Sequence, residues 1–148
     1  PGDLYRLFSY VFVHRSWSHL SGNITNVLLL GPSVEEHIGS RRLVVLAAAA
    51  AAASGVLHSF LFSSTGVVGA SGIVFLLIVV NAGEGLQRSK GSATLPLTFV
   101  LTVLIFLSKE LHDSLDNQND TSHFTHIMGG VVGAAHLWKF GGTRPKLS

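Results

Sequence analysis

The sequence contains no cysteine, which excludes disulfides, iron–sulfur clusters and thiolate zinc sites. It is also poor in charge. Asp, Glu, Lys and Arg make up 12% of its 148 residues, against roughly 25% in a soluble domain. No basic stripe is interleaved with aromatics, so a net charge of +2 and a pI near 9.3 do not point to nucleic acid. Eight histidines raise the question of a metal. Zinc wants about four close ligands, or three if catalytic. There is no His-Glu-x-x-His, and no acid joins His123 and His126 within an apolar segment. No cleavable signal peptide is visible, and the chain opens at Pro1-Gly2-Asp3-Leu4 without an initiator Met.

What is abundant is apolar surface, at 47% of residues. A membrane-crossing helix takes about 20 predominantly apolar residues. Five segments fit, some shortened or polar at one end: 17–37, 43–62, 67–82, 95–111 and 124–140. Short connections rich in Gly, Ser and charge separate them. The expectation is an all-α, polytopic transmembrane bundle forming one domain over residues 1–148. The alanine tract 47–53 reads as a close-packing helix face. Lys and Arg accumulate on the cytoplasmic side of membrane proteins. Here Arg41, Arg42, Arg88, Lys90, Lys139, Arg144 and Lys146 all fall on one side. The opposite side carries Arg6, Arg15 and Lys109 with Glu110, Asp113, Asp116 and Asp120. The first, third and fifth segments then run inward from the non-cytoplasmic side.

Reactive side chains collect near the outer ends of those three segments. The first has His19 and Asn23, the third Ser71 within Gly69-Ala70-Ser71-Gly72, the fifth His126. Polar groups inside membrane segments are costly, and by default mark function. A shallow site is also one that water can reach. A serine hydroxyl is a weak nucleophile until a base takes its proton, and imidazole ordinarily titrates near neutrality. An oxyanion intermediate requires donors aimed at it. Asn23 offers amide N–H groups, and His19, four residues earlier, shares its helix face. Gly69 and Gly72 flank Ser71, while Gly129 and Gly133 form a Gly-x-x-x-Gly that lets helices approach closely in lipid. Phe75 lies one turn below Ser71, placed to stack on His126. No aspartate lies within a segment to complete a triad, so a Ser–His dyad is expected. Asp120, in the loop before the fifth segment, is the one nearby acid.

The ordered motifs resemble those of the rhomboid intramembrane proteases. A His-x-x-x-x-His-x-x-x-Asn pattern runs from His14 through His19 to Asn23. Gly-x-Ser-Gly is read in Gly69-Ala70-Ser71-Gly72, and His-x-x-Gly-x-x-x-Gly in His126, Gly129 and Gly133. Glu35-Glu36-His37-Ile38-Gly39-Ser40 matches the usual end of the family's second helix. The resemblance covers nearly the whole chain, from Tyr5-Arg6 to the last glycines. It implies cleavage of transmembrane protein substrates within the lipid, without metal, ATP or cofactor. Ser71 would attack, His126 would act as base, and the Ser71 N–H with Asn23 and His19 would hold the oxyanion. The fourth segment and residues 109–122 would correspond to the family's gate and cap. The run Leu28 to Pro32 and the segment Ser122 to His126 look bacterial, which implies an inner-membrane protein opening to the non-cytoplasmic side. The basic family fold has six helices, and the first is expected to be missing here. A catalytically silent relative that binds transmembrane clients is the alternative, although such relatives usually lack the Ser or the His. A transporter would place its polar groups near the bilayer midplane, whereas here they stop at the outer third.

Overall fold

The computed structural model describes residues 4–61, 66–88, 97–116 and 120–141. A short helix α1 (Arg6–Ser9) runs into a 3₁₀ turn (Tyr10–Phe12). Five long helices follow: α2 (Trp17–Ile38), α3 (Ser40–Leu61), α4 (Ser71–Arg88), α5 (Leu97–Asp116) and α6 (Asp120–Phe140). No strand occurs among the described residues.

The helix ends have local causes. Ser16, with extended backbone, caps α2 by accepting the His19 N–H at 3.1 Å. Gly39, at φ 83°, ends α2 so sharply that α3 begins at the next residue. α4 starts later than the apolar run from position 67 suggests. Gly69 stands at φ 105°, which a helix cannot continue through, so residues 66–69 remain outside the helix. Ala70 then closes the first turn by accepting the N–H groups of Ile73 and Val74. α6 begins earlier than its apolar stretch, at Asp120, which opens the helix instead of lying in a loop before it.

α4 is the axis of the bundle. It packs most extensively on α6, then on α2 and α3. Val74, Leu76, Leu77 and Val80 are each at most 1% exposed. Because Leu76 and Leu77 are neighbours about 100° apart on the helix, burial of both means that α4 is covered on several sides. Val34 and Ile38 from α2, Ala50 from α3, and Phe99 and Phe106 from α5 complete the core. Ser33 of α2 donates to Asn81 Oδ1 of α4 at 2.8 Å.

The outward faces are apolar too. Leu28 and Leu29, Val44 and Val45, Leu104 and Ile105, and Val131 and Trp138 are all more than half exposed. Such a belt exceeds what a water-soluble monomer exposes. Among the described residues α3 alone is by itself long and apolar enough to cross a membrane, while the apolar stretches of α4 and α5 are shorter.

The starts of α2, α4 and α6 meet at one end of the bundle. At the other end the Arg42 guanidinium lies 5.2 Å from the Phe140 ring, and Gly141 abuts the Gln87 side chain. Lys90, Arg144, Lys146 and the side chain of Arg88 lie outside the described residues; of the cap expected over 109–122, residues 109–116 end α5 and 120–122 begin α6, while 117–119 lie outside the described residues.

Candidate active site

Ser71 is the first residue of α4 and His126 lies in the second turn of α6. Their side chains meet, with His126 Nε2 2.8 Å from Ser71 Oγ. Both residues are buried, at 5% and 7% exposure. With the ring proton on Nδ1, Nε2 at that distance accepts a hydrogen bond from the Ser71 hydroxyl.

The approach of the two backbones has a specific cause. A Cβ on Gly129 would overlap the Gly72 carbonyl oxygen and sit 2.8 Å from its carbon. Reciprocally, a Cβ on Gly72 would lie 2.9 Å from the Thr125 carbonyl oxygen. One turn further on, Gly133 faces Val79 and the Leu76 carbonyl. Glycine is thus required on both helices at the level where Ser71 and His126 meet. His126 is also held from its face. The Phe75 ring stacks on it at 4.5 Å between centroids, 17° from parallel. Phe106 of α5 packs edge-on to Phe75 at 5.6 Å.

A second group of atoms faces the same end of α4. A Cβ on Gly69 would fall 2.7 Å from His19 Nε2 and 3.5 Å from Asn23 Nδ2. Both side chains of α2 therefore converge on the bend just before Ser71. Asn23 is 2% exposed, and its Nδ2 is buried without a hydrogen-bond partner among the described residues. An orphaned buried donor costs about 1–3 kcal/mol, an expense that makes sense where a charge appears during reaction. His14 approaches His19 edge-on, with ring centroids 5.0 Å apart, and its Nδ1 lies 3.4 Å from the Phe12 carbonyl oxygen.

All the residues expected from the sequence thus converge: Ser71, His126, Asn23, His19, Phe75, Gly69, Gly129 and Gly133. The side chain of Asp120 lies outside the described residues. His123 belongs to α6 instead of a loop, is exposed, and stands edge-on to His126 at 6.5 Å. Among the described residues no cluster of three or more His, Asp or Glu could hold a metal.

Two features escaped the sequence reading. Phe106 supports Phe75 from α5, and only its apolar character hinted at a role. Glu84, 1% exposed, pairs α4 with His136 of α6 across 3.9 Å. An acid inside an apolar run was the available signal.

Comparison with known proteins identifies the family. The rhomboid domain profile matches residues 1–143. The chain belongs to the rhomboid family. It is therefore an integral membrane protein. Rhomboid protease GlpG of Salmonella paratyphi A is 26% identical over 133 residues, covering 90% of this rhomboid chain and 47% of GlpG. Rhomboid protease GluP of Bacillus subtilis is 26% identical over 142 residues, covering 92% of the chain and 26% of GluP. RHOMBOID-like protein 5 of Arabidopsis thaliana is 27% identical over 135 residues, or 87% and 42% of the respective lengths. The rhomboid chain spans less than half the length of each of these relatives.

Proposed function

We propose that this rhomboid chain is an intramembrane serine endopeptidase that cleaves transmembrane protein substrates through a Ser71–His126 dyad. The carrying observation is the 2.8 Å contact between Ser71 Oγ and His126 Nε2. The orphaned amide of Asn23 beside it adds support.

The steps follow from the atoms. The Ser71 hydroxyl gives its proton to His126 Nε2 as Oγ bonds to the scissile carbonyl carbon. Charge moves onto the substrate oxygen, where the Ser71 N–H, Asn23 Nδ2 and His19 Nε2 act as donors. The C–N bond breaks, and His126 returns the proton to the leaving amine. Water then attacks the acyl-enzyme, His126 takes a proton from it, and Ser71 is released as a hydroxyl. Phe75 keeps the imidazole plane fixed throughout.

In this reading α2 to α6 all cross the bilayer as one domain, with the starts of α2, α4 and α6 on the non-cytoplasmic side of a bacterial inner membrane. The 18 residues of α4 span about 27 Å at 1.5 Å each, less than the roughly 30 Å hydrocarbon core. Ser71 then sits below the outer surface, with residues 66–70 leading down to it. Lipid covers the exposed apolar belt.

The test uses purified protein in detergent, a fluorescent transmembrane substrate and a fluorophosphonate probe. Wild type should cleave and take the label, while Ser71→Ala and His126→Ala should do neither. Equal behaviour of wild type and Ser71→Ala would end the protease reading and leave the silent, client-binding alternative. Chelator-sensitive cleavage would revive a metal mechanism.

A further inference from the structure

A residue far from the dyad in sequence reaches the bend that carries it. Tyr10, in the 3₁₀ turn, is buried, and its hydroxyl donates to the Ala51 carbonyl of α3 at 3.2 Å. Its own carbonyl accepts the Gly69 N–H at 3.1 Å. The one residue therefore ties α3 to the turn against which His19 and Asn23 lie. Its neighbours reinforce the tie. Tyr10, Val11 and Ala51 form a small core with Val67, Ala70 and Ile73, residues on both sides of the nucleophile. Gly55 of α3 abuts the Leu7 main chain, so α1 is seated on the same helix. Burial pushes the Tyr10 phenol pKa up, so the hydroxyl stays a donor at neutral pH.

Ser71 contributes a main-chain N–H to the proposed oxyanion pocket, while Asn23 contributes from another helix. Those donors converge only if residues 66–70 hold their height relative to α2. Nothing within that stretch fixes it, since residues 66–69 belong to no helix. The bond from Gly69 to Tyr10 does so, and the Tyr10 hydroxyl fixes where that carbonyl stands. We infer that Tyr10 is a positioning residue that sets the register between the Gly69–Ser71 main chain and the Asn23 amide, and so governs the chemical step without touching substrate. The inference rests on the protease reading.

A double-mutant cycle with Asn23 tests it. Tyr10→Phe keeps the ring and removes only the hydroxyl. It should lower kcat about 3- to 10-fold, the effect of one buried hydrogen bond, with KM within twofold. Fluorophosphonate labelling, which builds the same tetrahedral geometry at Ser71, should slow in parallel. In an Asn23→Ala background there is no amide left to keep in register, and Tyr10→Phe should then cost less than about twofold. An equal loss in both backgrounds would overturn the inference, as would a rise in KM at constant kcat. A lower unfolding temperature with kcat unchanged would reduce Tyr10 to a structural contact. If wild type itself takes no label at Ser71, the protease reading fails and carries this one with it. Label on wild type with an additive cycle rejects the register role alone.

Discussion

Replacing Gly129 with alanine should lower turnover about 100-fold, while the neighbouring change, Gly130→Ala, should leave it nearly unchanged. The two positions are adjacent on α6 but meet different surroundings. A Cβ at Gly129 overlaps the Gly72 carbonyl oxygen and lies 2.8 Å from the carbon and 3.3 Å from Cα of Gly72. These are backbone atoms of α4, and no side chain can swing aside. Ordinary contact with the carbonyl requires α6 to retreat by on the order of 1 Å. The Ser71–His126 contact, now 2.8 Å, would open beyond hydrogen-bonding distance. A 1 Å misplacement of reacting groups costs about 100-fold in rate, and overpacking adds about 1–3 kcal/mol of destabilisation. A Cβ at Gly130 meets only Val79 Cγ2, at 3.9 Å, an ordinary contact. The assay is kcat on a transmembrane substrate with the rate of fluorophosphonate labelling, alongside thermal unfolding in the same detergent. Gly129→Ala that labels within about threefold of wild type would refute the claim that this glycine pair sets the dyad distance. Equal losses at both positions would point instead to general intolerance of α6.

Other consequences are simpler to state. Asn23→Ala should lower kcat about 100- to 1,000-fold with little change in KM, as for loss of an oxyanion donor; steady-state kinetics check this. Phe75→Ala removes the stack on His126 and should cost about 2- to 12-fold in kcat, from an aromatic contact of about 0.5–1.5 kcal/mol, with Phe75→Tyr restoring most of it. Gly69→Ala combines a side chain at φ 105° with collision against His19, and labelling should fall by at least as much as in Asn23→Ala.

The sequence made the site more legible than the packing. Ser71, His126, His19 and Asn23 are chemically loud in an apolar chain, and the cost of placing them in lipid is what made them stand out. Each of the five apolar runs falls on a long helix, but the helix starts did not follow from run length. Residues 67–70 are as apolar as those that follow, and only the left-handed backbone at Gly69 keeps them out of α4. That conformation is a tertiary choice, made because α2 fills the space where a side chain would be. The same holds for Tyr10. Nothing local distinguishes it from Tyr5, which is exposed; the difference is contact with α3, some forty residues away. Phe106 likewise reads as one more apolar residue of α5 until its edge is seen against Phe75.

The enclosure of α4 has a consequence for how the protein is made. During synthesis α4 leaves the ribosome after α2 and α3 but before α6, its most extensive neighbour. Until α6 arrives, Ser71 has no base, and Glu84 has no His136. On the proposed reading, a nascent chain, or one broken off before α6, holds the Ser71 hydroxyl without its base. On that protease reading, competence waits until α6 has packed against α4.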